Sequence, residues 1–239
     1  MLTRLLPVLL AVGYAALVYA FSVWRTKQVL TRKSHPLRDA EIGAQVARLA
    51  RALDLPEIAV HVFEVDPVNG LAAPDGRVFL TEGFVRKYHQ GAVSAEEIAG
   101  VIAHELGHVA LGHSRRRMID FTGANAVFVI LTALLSRFLP FVGVFIANAI
   151  SGALMARLSR KDEFEADAWA SALLLKAGIG TGPQKTLLRK LESLTGTRSE
   201  DIPTWVMSHP RIPDRIAAIE ANEARWLGNR GLPDDGMQG

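Results

Sequence analysis

No cysteine occurs in the 239 residues. That excludes disulfides and leaves any metal site to histidine and carboxylate ligands. Strong net charge is missing too. A balance of +3 is too mild to suggest nucleic acid, and no basic patch is interleaved with aromatics. Internal repeats and low-complexity tracts are absent, which removes solenoid architectures. What the chain has in excess is apolar: 49% of residues are hydrophobic and mean hydropathy is positive. Basic residues cluster beside the apolar runs, a distribution that favours a membrane surface. At this length one sizeable core fits, with embellishments rather than further domains.

Two segments account for much of the apolar content. Leu5 to Trp24 carries no charge over about twenty residues, enough for a helix to cross a hydrocarbon core of about 30 Å. Arg4 stands alone before it, whereas Arg25, Lys27, Arg32, Lys33 and Arg38 follow it. The positive-inside rule then keeps the following chain cytoplasmic. The competing reading is a cleaved signal peptide, since Val18-Tyr19-Ala20 resembles a cleavage site. Phe121 to Leu158 is the second segment, with Arg137 and Arg157 as its only charges. It parses as two helices of about eighteen residues, each about 27 Å long, hinged at Arg137–Pro140. Each is short for a membrane span, so a soluble hydrophobic hairpin over the active site is the alternative.

Elsewhere the pattern is amphipathic. Pro36 to Leu53 predicts a helix with Ile42, Val46, Leu49 and Leu53 on one face. Ile58 to Val65 predicts a strand, and Pro74-Asp75-Gly76 a turn into a second strand, Arg77 to Leu80. Ser94 with Glu97 forms a capping box for a helix running to about Arg117. Helices over about 160–176, 184–194 and 213–227 follow, with Pro213 suited to a first turn. The polar, glycine-rich end of the chain predicts a disordered tail over 228–239.

His104-Glu105-Leu106-Gly107-His108 stands on the helix that Ser94 begins. Its two imidazoles, four residues apart, leave one helical face a single turn apart. They can grip one zinc ion and leave Glu105 to take a proton from the attacking water. The pattern arises by chance in roughly one chain of this composition per hundred, so it demands a third ligand before it carries weight. Metzincin spacing would need glycine at 111 and histidine at 114, where the chain has Leu111 and Ser114. His113 lies about 140° round an unbroken helix from His108 and reads as a surface or interfacial histidine. A carboxylate on a later helix remains. Glu163 and Asp167 are i and i+4 and share a face, while Glu165 points about 200° away from Glu163. Glu163 can then complete the metal site, with Asp167 buttressing a ligand histidine. His35, His61 and His89 read as ordinary histidines, and Trp205 and Trp226 as packing residues.

Because His108 and Glu163 must meet at one metal, the apolar insert between them leaves and returns on one side. Its near ends carry Arg115, Arg116, Arg117, Arg157, Arg160 and Lys161, and its tip carries Arg137 alone. A hairpin in the bilayer would again put the metal on the cytoplasmic side.

At this point the sequence resembles the membrane-associated zinc metallopeptidases that include the bacterial heat-shock membrane protease and the type 1 CAAX prenyl proteases. The likeness spans about residues 40–220 by the order of its motifs. They are Val68-Asn69-Gly70, Gly76 to Gly83, Glu97 to His108 with Gly112-His113, Ser159-Arg160 through Asp167, and Ser208-His209-Pro210 with Arg215. The hydrophobic interruption between the two metal segments is also a family habit. The resemblance implies Glu163 as third ligand, and His209 and Arg215 near the reacting carbonyl or the substrate backbone, where Arg215 or His209 would stabilise the oxyanion. It implies that Asn69 to Leu80 is an edge strand for a substrate peptide, with Asn69, Val78 and Phe79 as substrate contacts. Gly70 departs from the alanine-like residue that often follows the asparagine. The chain is also shorter than the multi-span prenyl proteases, which argues against prenyl-peptide cleavage.

The expected fold is α+β and mainly helical. It would be a gluzincin-type metallopeptidase domain with a small antiparallel sheet, an N-terminal membrane anchor and a hydrophobic helical hairpin. The boundaries are an anchor over 1–30, the domain over 31–227 with its insert at 121–158, and the tail. The expected activity is a membrane-bound zinc endopeptidase acting on protein or peptide substrates, in contact with membrane lipid. It would hold one Zn2+ per chain and serve membrane-protein quality control. Its catalytic domain would face the cytoplasm from a cell inner membrane. A non-catalytic holdase or assembly factor, and a secreted periplasmic peptidase of the same chemistry, are the rival readings.

Overall fold

The computed structural model describes residues 27–73, 75–139, 142–195 and 211–229, with single positions from Gly13 onward before them. The anchor over Leu5–Trp24, Pro140, Trp205, His209 and the tail from 230 fall wholly or mostly outside the described residues.

Four strands form one sheet: β1 (Ser34–Pro36), β2 (Val60–Phe63), β3 (Gly70–Ala72) and β4 (Val78–Thr81), in spatial order β1-β2-β4-β3. The sheet is mixed, which corrects the antiparallel expectation. β1 with β2 and β3 with β4 are antiparallel, but β2 and β4 run parallel. Residues 64–77 make this possible. A connection of about a dozen residues is long enough for a crossover, and β3 is folded within it as the outer half of a hairpin. Side-chain alternation does not encode strand direction. β4 is an inner strand buried at every position, so its run of Val78, Phe79 and Leu80 is continuous rather than alternating.

From Ala40 onward seven helices lie among the described residues: α1 (Ala40–Ala52), α2 (Glu82–His89), α3 (Ala95–Ala110), α4 (His113–Phe138), α5 (Val142–Lys176), α6 (Gly182–Thr195) and α7 (Ile212–Asn229). α1 starts later than its apolar periodicity suggests. Asp39 caps it by accepting from the Glu41 and Ile42 amides, while Pro36 belongs to β1. The Ser94–Glu97 capping box forms at α3, with Ser94 Oγ 3.1 Å from the Glu97 amide and Glu97 Oε2 2.9 Å from the Ser94 amide. α3 runs through the middle of the core. Ile98, Ala99, Ile102 and Ala103 are fully buried, in one cluster with Ile42 and Leu49 of α1, Val78 and Leu80 of β4, and Leu174 of α5. Each such isoleucine or leucine contributes about 1.5–3 kcal/mol by leaving water.

Other helix boundaries also differ from expectation. α3 ends at Ala110 rather than near Arg117, because Gly112 adopts φ +65° and the chain restarts as α4 in a new direction. The second arm of the apolar insert does not stop near Leu158. α5 is one unbroken 35-residue helix, about 52 Å long, whose first half is apolar and whose second half is packed into the domain. No glycine or proline interrupts it after Gly152. α4 and α5 form an antiparallel hairpin. They meet near its tip, where Gly143 lies so close to Leu135 that a Cβ would sit 2.8 Å from the Leu135 carbonyl carbon. They meet again at its base through Arg117 and Asp162, 3.2 Å apart. Val129, Ile130, Leu134 and Phe138 of α4, and Val142, Phe145 and Ile150 of α5, are exposed on it. α7 continues to Asn229, two residues into the expected tail.

Candidate metal centre

α3 and α5 cross at Gly107. A Cβ there would lie 3.1 Å from the Ala166 carbonyl oxygen and 3.3 Å from Trp169, so the residue between the motif's glutamate and second histidine has to be small for the helices to close. That contact brings Glu163 opposite the two imidazoles. His104 Nε2 lies 3.1 Å from His108 Nε2 and 3.4 Å from Glu163 Oε2, and His108 Nε2 lies 3.5 Å from Glu163 Oε1. A tetrahedral ion with bonds of about 2.0–2.1 Å spaces its ligands by about 3.3–3.4 Å, so this donor set has the size and chemistry of a zinc site. Two neutral nitrogens and one carboxylate are also a zinc-type set rather than a calcium-type one.

Each imidazole is held from behind. His104 Nδ1 is 3.0 Å from Asp167 Oδ1, and Asp167 is gripped by Arg215 through Nε at 2.6 Å and Nη2 at 2.7 Å. Arg215 comes from α7 and is buried. Its two donors are committed to Asp167, and a third nitrogen stands 3.9 Å from Glu163. It lines the cavity in front of the imidazoles while holding Asp167. The Asp167 carbonyl oxygen accepts from Ser171 Oγ and Gln184 Nε2, fixing α5 against α6 at this point.

His108 is backed differently. Its Nδ1 lies 2.8 Å from Nδ1 of His113, which is 1% exposed. This corrects the surface reading of His113: the turn at Gly112 swings it back under the motif helix. His113 Nε2 in turn faces Glu165 Oε2 at 3.2 Å. Arg116 and Arg117 enter the same cluster, Arg116 at 2.6 Å from Glu165 and Arg117 at 3.2 Å from both Asp162 and Glu163. Glu165 lies off the Glu163 face as the helical geometry predicts, yet it still reaches the metal centre's surroundings.

The electrostatics separate the two imidazoles. Burial pulls His104 down, but the Asp167 and Glu163 carboxylates outweigh it and raise the ring to about 9. Burial, and then the charge on His104, pushes His108 down to about 3. Burial alone would raise Asp167, but Arg215 and His104 hold it at about 2. Glu105 is lifted to about 7 by burial, with Glu163 adding to the rise, and His104 and the Ala72 backbone N–H opposing it.

Glu105 and His104 open onto a cavity of about 480 Å³, bounded on one side by Val68, Asn69 and Gly70 and on the other by Leu187, Leu188 and Leu191. β3, not β4, is the sheet edge here. Asn69 O accepts from the Thr81 amide and Ala73 N donates to Arg77 O, so by alternation the backbone groups of Gly70 and Ala72 turn away from β4, where the Gly70 amide donates to Asn69 Oδ1 at 3.0 Å and the Ala72 amide to the Glu105 carboxylate. Val78 and Phe79 are fully buried in the inner strand and cannot touch a substrate, which corrects their reading as contacts. The departure at Gly70 has a steric reason: a Cβ there would come within 2.6 Å of Val101 Cγ1, so glycine lets β3 lie directly on the motif helix. The sequence reading gave His113, Arg116 and Arg117 no part in the metal site. The glycine at 112 was a weak signal for the turn that brings them there.

Comparison with known proteins agrees with this architecture. Peptidase family M48 matches residues 36–223, from β1 to within α7. The chain belongs to that family. Metalloprotease YcaL of Escherichia coli (strain K12) is 30% identical over 192 residues, covering 76% of this chain and 72% of that protein. A protease HtpX homolog of Gemmatimonas aurantiaca is 29% identical over 232 residues, covering 81% of this chain and 78% of that protein. The mitochondrial metalloendopeptidase OMA1 of Schizosaccharomyces pombe is 29% identical over 168 residues, covering 70% of this chain and 46% of that protein. As an M48 member the chain is a metal-dependent protease.

Proposed function

We propose that this M48 protease is a membrane-bound, gluzincin-type zinc endopeptidase, with His104, His108 and Glu163 holding the ion and Glu105 as general base. The observation that carries this reading is the convergence of those three ligand side chains beside Glu105, at the mouth of a cavity walled by an open strand edge. A zinc ion there would polarise the scissile carbonyl and make water at the site more acidic. Glu105 takes the proton from the attacking water and delivers it to the leaving amine. Its raised value of about 7 in the metal-free protein falls when a dication sits beside it, so it is ionised at neutral pH. The outward carbonyls of Gly70 and Ala72 receive the amides of an extended peptide and set its scissile carbonyl over the ion, with Asn69 at the cavity wall.

The membrane part of the reading rests on the hairpin. The helix from Val142 to Lys176 is long and apolar enough to cross a bilayer, and Gly123–Phe138 is a shorter apolar partner. With the base rich in arginine and the tip carrying only Arg137, the catalytic face lies on the cytoplasmic side of an inner membrane. An anchor over 1–30 adds a second attachment to a domain over 31–227, followed by a short tail. Protein substrates reaching this membrane face suit a role in membrane-protein quality control.

The test is Glu105→Gln in the full chain. Zinc content stays at the wild-type level while peptide hydrolysis falls by about 10²–10⁴-fold. Retained hydrolysis contradicts the assignment. For the membrane part, Phe145→Cys or Ile150→Cys, each the only cysteine of its chain, is shielded from a water-soluble thiol reagent by lipid vesicles, and unchanged labelling counts against the hairpin as a lipid contact.

A further inference from the structure

We propose that His113 is a positioning residue that orients His108 for the metal, and that its cluster with Asp162 and Glu165 is not a second cation site. The inference rests on the zinc site proposed above and goes beyond it.

Geometry comes first. Five residues after His108, His113 would point about 140° away on a continuous helix. The chain instead takes a left-handed step at Gly112, φ +65°, where a side-chain-bearing residue would be strained. His113 therefore returns to lie edge-on against His108, with ring centroids 4.9 Å apart and planes at 71°. Its side chain is almost completely enclosed.

Proton placement follows from the contacts. His108 Nε2 faces His104 and Glu163, so when that nitrogen binds metal the ring's proton resides on Nδ1. Among the described residues the partner of that N–H is His113 Nδ1, 2.8 Å away, which must accept. The His113 proton is then on Nε2, where it donates to Glu165 Oε2 at 3.2 Å. Glu165 is held in turn by Arg116 at 2.6 Å. Each imidazole has one donor and one acceptor, and the chain from His108 to Glu165 satisfies both without conflict. It is the counterpart, on the second ligand, of the Asp167 support behind the first.

The rival role for this cluster is a cation bound by His113, Asp162 and Glu165, whose ligand atoms lie within 4.8 Å of one another. Two guanidinium groups already neutralise the two carboxylates. Arg116 lies 3.3 Å from Asp162 and 2.6 Å from Glu165, and Arg117 lies 3.2 Å from Asp162. A dication would have to displace both arginines or sit against them.

The experiment uses the full chain in detergent and compares wild type with His113→Ala, His113→Asn and His113→Gln. Zinc affinity is read by chelator competition, metal stoichiometry by elemental analysis, and ligand geometry from the visible spectrum of the cobalt(II) form. Loss of a supporting contact of this kind costs roughly 10–100-fold in metal affinity. His113→Ala is expected to lose that much and to shift the cobalt bands. Asparagine, whose amide oxygen reaches the Nδ1 position, recovers most of the loss. Glutamine, whose amide reaches only the Nε2 position, does not. Should the alanine variant fail to fold, the asparagine–glutamine difference decides alone. Equal affinity and identical cobalt spectra across the variants and wild type overturn the proposal while leaving the zinc site intact. Two metals per wild-type chain, one of them lost with His113, overturn it in favour of a second site. A wild-type chain that takes up no zinc overturns the functional reading itself.

Discussion

The two imidazoles of the motif sit one helical turn apart and share a carboxylate, yet they rest on different supports. Behind His104 is an anion, Asp167, fixed by a buried arginine. Behind His108 is a second imidazole, His113, and the anion Glu165 comes only after it. Their basicity differs as well: the Asp167 and Glu163 carboxylates raise His104 to about 9, while burial, and then the charge on His104, depresses His108 to about 3. In the metal-free site the proton therefore favours His104, and the neighbouring ring stays neutral through its burial first and the charge on His104 second. A metal entering the site has one proton to displace, not two.

Glu163 is common to both sides, so its removal has the largest effect. Glu163→Ala leaves two histidines and no carboxylate, and the protein should lose its zinc on dialysis and its peptidase activity with it. Full zinc retention would take Glu163 out of the ligand set. The proton on His104 gives the next largest effect. Because its value is raised, the proton is bound below about pH 9 and absent above it. Zinc affinity should weaken about tenfold per unit as pH falls from 9 to 7, with one proton released per ion in calorimetry. An affinity flat over that range would mean that His104 is not the protonated member. Asp167→Asn removes the charge that raises His104. It should lower zinc affinity roughly 10–100-fold and flatten that pH dependence. Glu165→Gln, one imidazole further from the metal and partly exposed, should cost least. Equal losses in the last two variants would erase the asymmetry.

What could be read from the sequence was what a single helix dictates. The i, i+4 pairs His104/His108 and Glu163/Asp167 have their relative directions set by 3.6 residues per turn, and the capping box at Ser94 is equally local. The need for a third ligand joined those helices into one site, and the family likeness agreed with it. What could not be read depended on backbone reversals and on packing at a distance. His113 was placed by one left-handed residue, Gly112, that looks like any other helical glycine in the sequence. The parallel pairing of β2 with β4 lies in the path of residues 64–77, and the burial of Val78 and Phe79 follows from that path. The unbroken length of α5 was hidden because its composition changes from apolar to charged near Arg157 while its helix does not stop. That continuity ties the exposed hairpin directly to Glu163 and Asp167.

The central claim is a single ion held by His104, His108 and Glu163, with His113 next to it but not on it. X-ray absorption at the zinc edge of the metal-loaded full chain tests that most directly. The account predicts one zinc environment with two imidazole nitrogens at about 2.0–2.1 Å and the remaining ligands oxygen, unchanged in imidazole count in His113→Asn. Three imidazoles on the ion, or two zinc ions per chain, would contradict it.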